Sequence, residues 1–228
     1  MDRYEINIKN VSKSFKNQKV LKDISLSLES GKIYGIVGYN GSGKTVLFKC
    51  ICGFYKVDQG EITVNGKVIG KDVDILPNAG ILIEEPGYVR DMTGYQNLDI
   101  LYCVKNKPNR KIIEETMKRV GLDPKSKKRV SHYSLGMKQR LAIAQATMED
   151  QKILILDEPM NGLDKNGIEQ MRNYYRQKRE EGKLILLASH NPLDIEILCD
   201  EIYLIEDGCL RKMTNDQDKF GYFCAEKE

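Results

Sequence analysis

Apolar and polar residues alternate roughly one for one over residues 4–11 and 20–28, where Leu21, Ile24, Leu26 and Leu28 supply the apolar positions. A period of two predicts half-buried antiparallel strands. Glu29-Ser30-Gly31-Lys32 reads as a turn, and residues 33–37 as a compact apolar strand. Glycines and a helix-like stretch over residues 43–52 follow at once. A strand over residues 61–64 ends at Asn65-Gly66, a hairpin signal because both residue types tolerate positive φ. A further strand around residues 81–83 stops at Pro86-Gly87.

From about residue 94 to 147 the period becomes helical. Ile112, Ile113, Thr116, Met117 and Val120 fall on one face, and Gly121 is a plausible stop. Residues 125–129 carry four bases and read as a solvated face. Past residue 149 strand and helix alternate. Strands are expected at 153–156, 184–188 and 202–205, and a helix at 165–181 closed by Gly182. A second helix opens with Asn191 as N-cap and Pro192 as its first residue. The pattern describes an α/β nucleus interrupted by a helical block, with an antiparallel β flap near the start.

Composition narrows the classes. The chain has 228 residues, 41% of them hydrophobic, enough for a buried core. Its net charge of +3 gives no reason to expect nucleic acid as a partner. No aliphatic run approaches the roughly 20 residues a membrane-spanning helix needs, so no crossing is expected. The first residues hold acids and no apolar run, so no secretory signal is expected. Six cysteines are scattered without a C-x-x-C pair, and only His132 and His190 could join them. Free thiols in a reducing compartment are expected rather than a zinc framework.

Chemistry enters with Gly38-Tyr39-Asn40-Gly41-Ser42-Gly43-Lys44-Thr45. This fits G-x-x-x-x-G-K-[ST] after a strand and before a helix, the context in which that motif binds phosphates. The glycines let successive N–H groups turn inward, and the helix start adds its positive end. Lys44 would reach the β- and γ-phosphates, and Thr45 would offer a hydroxyl to Mg²⁺. Ile153-Leu154-Ile155-Leu156-Asp157-Glu158 is an aliphatic strand, central by its composition, that ends in two acids. Ligands gather at such strand ends. Asp157 is placed to hold Mg²⁺, and Glu158 to polarise a water for attack on the γ-phosphate. His190 ends a second apolar strand and could donate a hydrogen bond to the same phosphate. His132 has no such placement and reads as structural or superficial.

With these residues in place, the chain resembles the ATP-binding subunit of an ABC transporter over nearly its whole length. Tyr133-Ser134-Leu135-Gly136-Met137 corresponds to the family's signature motif and Asn161-Gly162-Leu163-Asp164 to its D-loop. Ile83-Glu84-Glu85-Pro86 corresponds to its Q-loop, His190 to its switch histidine, and Phe15 to its adenine-stacking aromatic. The signature departs from L-S-G-G-Q, and Glu84 stands where glutamine is common. Both departures resemble the bacitracin-export and lantibiotic-immunity branch. The resemblance implies one nucleotide-binding domain, residues 1–228, with a P-loop α/β core (1–90 and 148–228) whose sheet is mostly parallel. An N-terminal antiparallel β subdomain and a helical subdomain (about 91–147) complete it. It implies ATP and Mg²⁺ as cofactors. ATP would be held by Phe15, by Gly38 through Val46, and by Ser134 and Gly136. Mg²⁺ would be held by Thr45, Asp157 and Glu84, and Glu158, His190 and Lys44 would be catalytic.

The resemblance further implies a head-to-tail homodimer in which Ser134 of one subunit closes on the γ-phosphate held by the other. Taken alone, residues 133–137 would pass for a helix cap. A separate permease would make the chain peripheral on the inner face of the membrane. Tyr88, Met92 and Tyr95 either line the docking groove for that permease or pack locally. Export of an antibiotic, peptide or drug is the expected work. The alternative is an ATPase regulating an envelope complex without solute transport. The chain lacks the tandem domains of ribosome-acting relatives and the coiled coils of DNA-acting ones. Asn106-Lys107-Pro108-Asn109 lacks the aspartate that would pair with guanine.

Overall fold

The alternating N-terminal segments pair antiparallel as β1 (Glu5–Phe15) and β2 (Gln18–Glu29) in a computed structural model that describes residues 4–16 and 18–214. Their apolar residues, Ile6, Ile8 and Val11 against Leu21, Ile24, Leu26 and Leu28, are buried. β1 runs four residues beyond the sequence expectation. Register shifts after Ile8 and Val11 break the alternation that would have announced it. β3 (Ile33–Val37) enters a second sheet and leads into α1 (Lys44–Ile51). The chain returns with β4 (Gln59–Val64) and β5 (Lys67–Val68), joined by the expected Asn65-Gly66 turn at φ 48° and 77°. The first sheet has the order β2-β1-β4-β5.

After β6 (Ala79–Leu82) come α2 (Gly94–Cys103), α3 (Arg110–Arg119), a short 3-10 turn (Val130–His132) and α4 (Leu135–Thr147). Ile113, Thr116 and Met117 of α3 are buried on the expected face, and the bases from Lys125 to Arg129 are exposed. The chain then alternates through β7 (Ile153–Asp157), α5 (Lys165–Glu180), β8 (Leu184–Ala188), α6 (Pro192–Leu198), β9 (Glu201–Glu206) and β10 (Cys209–Lys212). The second sheet has the order β10-β9-β3-β8-β7-β6, parallel except for β10. β10 is a correction to the sequence reading, which ended the strands at residue 205. It is an edge strand, mostly exposed and without alternation, and an Asp207-Gly208 turn with both φ positive creates it.

The central strands divide their side chains between two cores. Ile33 and Val37, Leu154 and Leu156, and Ile185 and Leu187 share one core with the helical block, α5 and α6. Tyr34 and Ile36, Ile153 and Ile155, and Leu184 and Leu186 face the antiparallel sheet and α1. Burial on both faces is why these strands read as unbroken apolar runs. The five described cysteines are free thiols, and Cys224 lies outside the described residues.

Candidate active site

Neighbouring parallel strands β3, β8 and β7 end on one edge of the sheet, so the loops that follow them meet there. The loop after β3 packs against β9. A Cβ at Gly38 would lie 2.4 Å from the Ile205 carbonyl oxygen, which only glycine permits. Gly43, at φ 112°, begins α1 with no side-chain cap, leaving its N-terminus suited to an anion. The Lys44 ammonium folds back on the loop, donating to the carbonyls of Gly38 and Tyr39. Ser42 Oγ is buried without a hydrogen-bond partner.

Across the gap, Thr45 Oγ1 donates to Asp157 Oδ2 at 2.7 Å. Glu158 takes a left-handed conformation, φ 50°, with its N–H on the Ala188 carbonyl. That turn aims its carboxyl at the loop after β8. Glu158 Oε2 accepts from the His190 backbone N–H at 3.2 Å. Oε1 is buried, takes no hydrogen bond, and lies 3.2 Å from His190 Nε2. That contact becomes an ion pair only on an imidazolium. Burial pushes the Glu158 pKa up to about 7, with the Asp157 charge adding to it against the His190 N–H and Lys44.

A cavity of about 290 Å³ gathers these groups. Its walls hold Asn40, Gly41, Gly43, Lys44, Thr45, Val46, Glu84, Asp157, Glu158 and His190. Val20 of β2 joins them, and sequence reasoning missed it. Glu84 is exposed, with Oε1 on Lys49 Nζ at 2.7 Å, so α1 tethers the Q-loop position. No spacing rule pointed to Lys49. Phe15 is not on the cavity wall. The residue is 40% exposed, and its ring lies edge-on to Tyr55, 5.2 Å between centroids. Tyr39 is also exposed.

Ser134 and Gly136 do not line this cavity. Ser134 is the N-cap of α4, its Oγ accepting from the Met137 N–H at 3.2 Å. A Cβ on Gly136 would lie 2.8 Å from the Gly162 carbonyl oxygen, so signature and D-loop residues press together. Leu135 beside them is 69% exposed. Tyr88 and Tyr95 pack against the core, and the Tyr88 hydroxyl donates to the Lys138 carbonyl at 3.1 Å. Local packing is thus part of their role.

Residues 21–161 match the family described as ABC transporter. The chain belongs to that family, as an ATP-binding subunit and ATPase. It is 36% identical over 214 residues to the bacitracin transport ATP-binding protein BcrA of Enterococcus faecalis, covering 93% of this chain and 70% of the relative. It is 33% identical over 203 residues to the lantibiotic transport ATP-binding protein SrtF of Streptococcus pyogenes, covering 89% and 87%. Its fold matches an ATP-binding cassette solved as a dimeric post-hydrolysis state bound to ADP and Pi. The TM-score is 0.81 at 22% identity, over 92% of this chain and 99% of that one. Among the described residues of this ABC subunit, no helix is long and apolar enough to cross a membrane.

Proposed function

We propose that two copies of this ABC subunit bind ATP head to tail and hydrolyse it to drive a separate permease that exports an antibiotic, peptide or drug. The observation that carries the reading is the shared cavity, in which the phosphate loop faces Glu158 with its pKa near 7 and His190 3.2 Å away. The loop amides and the start of α1 bind the phosphates. Lys44 moves from the loop carbonyls to the β- and γ-phosphate oxygens. The unpartnered Ser42 Oγ beside it suits an anion's oxygen or a water.

Thr45 and Asp157, with Glu84 across the cavity, offer the hard oxygen donors that suit Mg²⁺. Among the described residues no group of three or more His, Cys, Asp or Glu could hold a metal by itself. That fits an ion bound largely through substrate phosphates and water. Mg²⁺ bound there would neutralise charge on the phosphates. Glu158 takes a proton from the attacking water as its oxygen bonds to the γ-phosphorus, and the bond to the β–γ bridging oxygen breaks. His190 holds the γ-phosphate by a hydrogen bond, and Phe15 offers an exposed ring for the adenine.

Ser134 and Gly136 act on the partner's nucleotide, which is consistent with their absence from this chain's own cavity. A groove of about 440 Å³ between the Q-loop and the helical block would receive the permease. Glu85, Tyr88, Arg90 and Lys138 lie on its walls. The likeness to bacitracin and lantibiotic transport ATP-binding proteins supports the cargo class, and docking on a permease would place the chain on the cytoplasmic face. Glu158→Gln tests the reading. Removing a general base costs about 10²–10⁴ in rate, so kcat should collapse while nucleotide binding persists. Hydrolysis at the parent rate would overturn the assignment.

A further inference from the structure

We propose that Gln139 is a positioning residue that links the two nucleotide sites of the dimer. It would carry the state of the partner's site, sensed at Ser134, to the catalytic base of its own chain, Glu158. Gln139 lies five residues beyond Ser134, in the second turn of α4. Its side-chain amide Nε2 donates to the Glu158 carbonyl at 3.1 Å and to the Pro159 carbonyl at 2.9 Å. These carbonyls belong to the turn that holds Glu158 at φ 50°, a conformation costly for a non-glycine residue unless its surroundings impose it. The next residue of the helix, Arg140, grips the far end of the same loop through Asp164 Oδ1 at 2.6 Å.

A cleft open to solvent, of about 210 Å³, lies beside this contact, with Leu135, Gln139, Asp157, Glu158 and Asn161 among its walls. Of the contacts between this helix and the loop, the two amide hydrogen bonds are the ones that end on the Glu158 turn itself. A shift of the helix when Ser134 engages a phosphate would move the Glu158 backbone with it. About 1 Å of misplacement at a reacting group costs on the order of 100-fold in rate.

This inference rests on the head-to-tail reading, and the test separates the two. Sedimentation of the parent protein with ATP shows whether it dimerises. A parent that stays monomeric overturns the head-to-tail reading and the link with it. Gln139→Met keeps length and volume but has no donor. Gln139→Glu keeps shape but sets a carboxylate against two carbonyls. Both are expected to keep the KM for ATP within about twofold, to lower kcat about tenfold or more, and to bring the Hill coefficient for ATP toward one. Unchanged kcat in either variant, or an unchanged Hill coefficient, overturns the proposal. So does a parallel loss of kcat and nucleotide affinity, which is what a packing defect gives.

Discussion

In the proposed mechanism the proton transfer falls to one side chain, Glu158. Its carboxyl is desolvated, next to Asp157, and has one oxygen without a hydrogen bond, so its pKa sits near 7 rather than at the ordinary 4.5. A base must be ionised to accept a proton, so activity should be gained as pH rises through that value. The profile of kcat/KM for ATP reports the free enzyme. At saturating Mg²⁺ it should show an acidic limb near 7; a limb near 4.5 would contradict the burial argument. The loop, both acids and His190 were legible in the sequence because their chemistry depends on residue type and close spacing at strand ends. Val20, Lys49 and Gln139 were not. Each reaches the site across a tertiary contact that no local pattern encodes.

At the scale of elements, α5 and α6 are held together by a buried ion pair. Arg172 Nε donates to Asp194 Oδ1 at 2.9 Å, and both side chains are almost fully enclosed. Asp194 Oδ2 also accepts from Ser189 Oγ at 3.2 Å, and Ser189 Oγ from the Asn191 N–H at 3.1 Å. The network thus brackets His190 from both sides. Asp194→Ala would leave the buried Arg172 charge with only the exposed Glu169 carboxylate 3.7 Å away, and breaking a buried pair costs about 3–5 kcal/mol. Urea unfolding should find that loss, and a change below about 1 kcal/mol would mean the pair is solvated. The helices and central strands were legible from strong periods and from caps such as Asn191-Pro192. The second half of β1 and all of β10 were not, because bulges and an exposed edge erase the alternation that identifies a strand.

The whole molecule sets two reactive surfaces apart. One is the cavity that holds the phosphate loop, Glu158 and His190; the other is the start of the signature helix, where Ser134 and exposed Leu135 stay outside that cavity's lining. A single chain leaves each surface without its complement, which the proposed head-to-tail pairing of two chains would supply. Nucleotide can favour that closed state only through contacts it makes better there than in the open one, and the γ-phosphate is the part of ATP that ADP lacks. The most direct measurement is sedimentation velocity of Glu158→Gln with Mg²⁺ and either ATP or ADP. A dimer with ATP that reverts to monomer with ADP is the predicted result. A chain that stays monomeric in ATP, while a fluorescent nucleotide shows that the site is filled, would contradict the account.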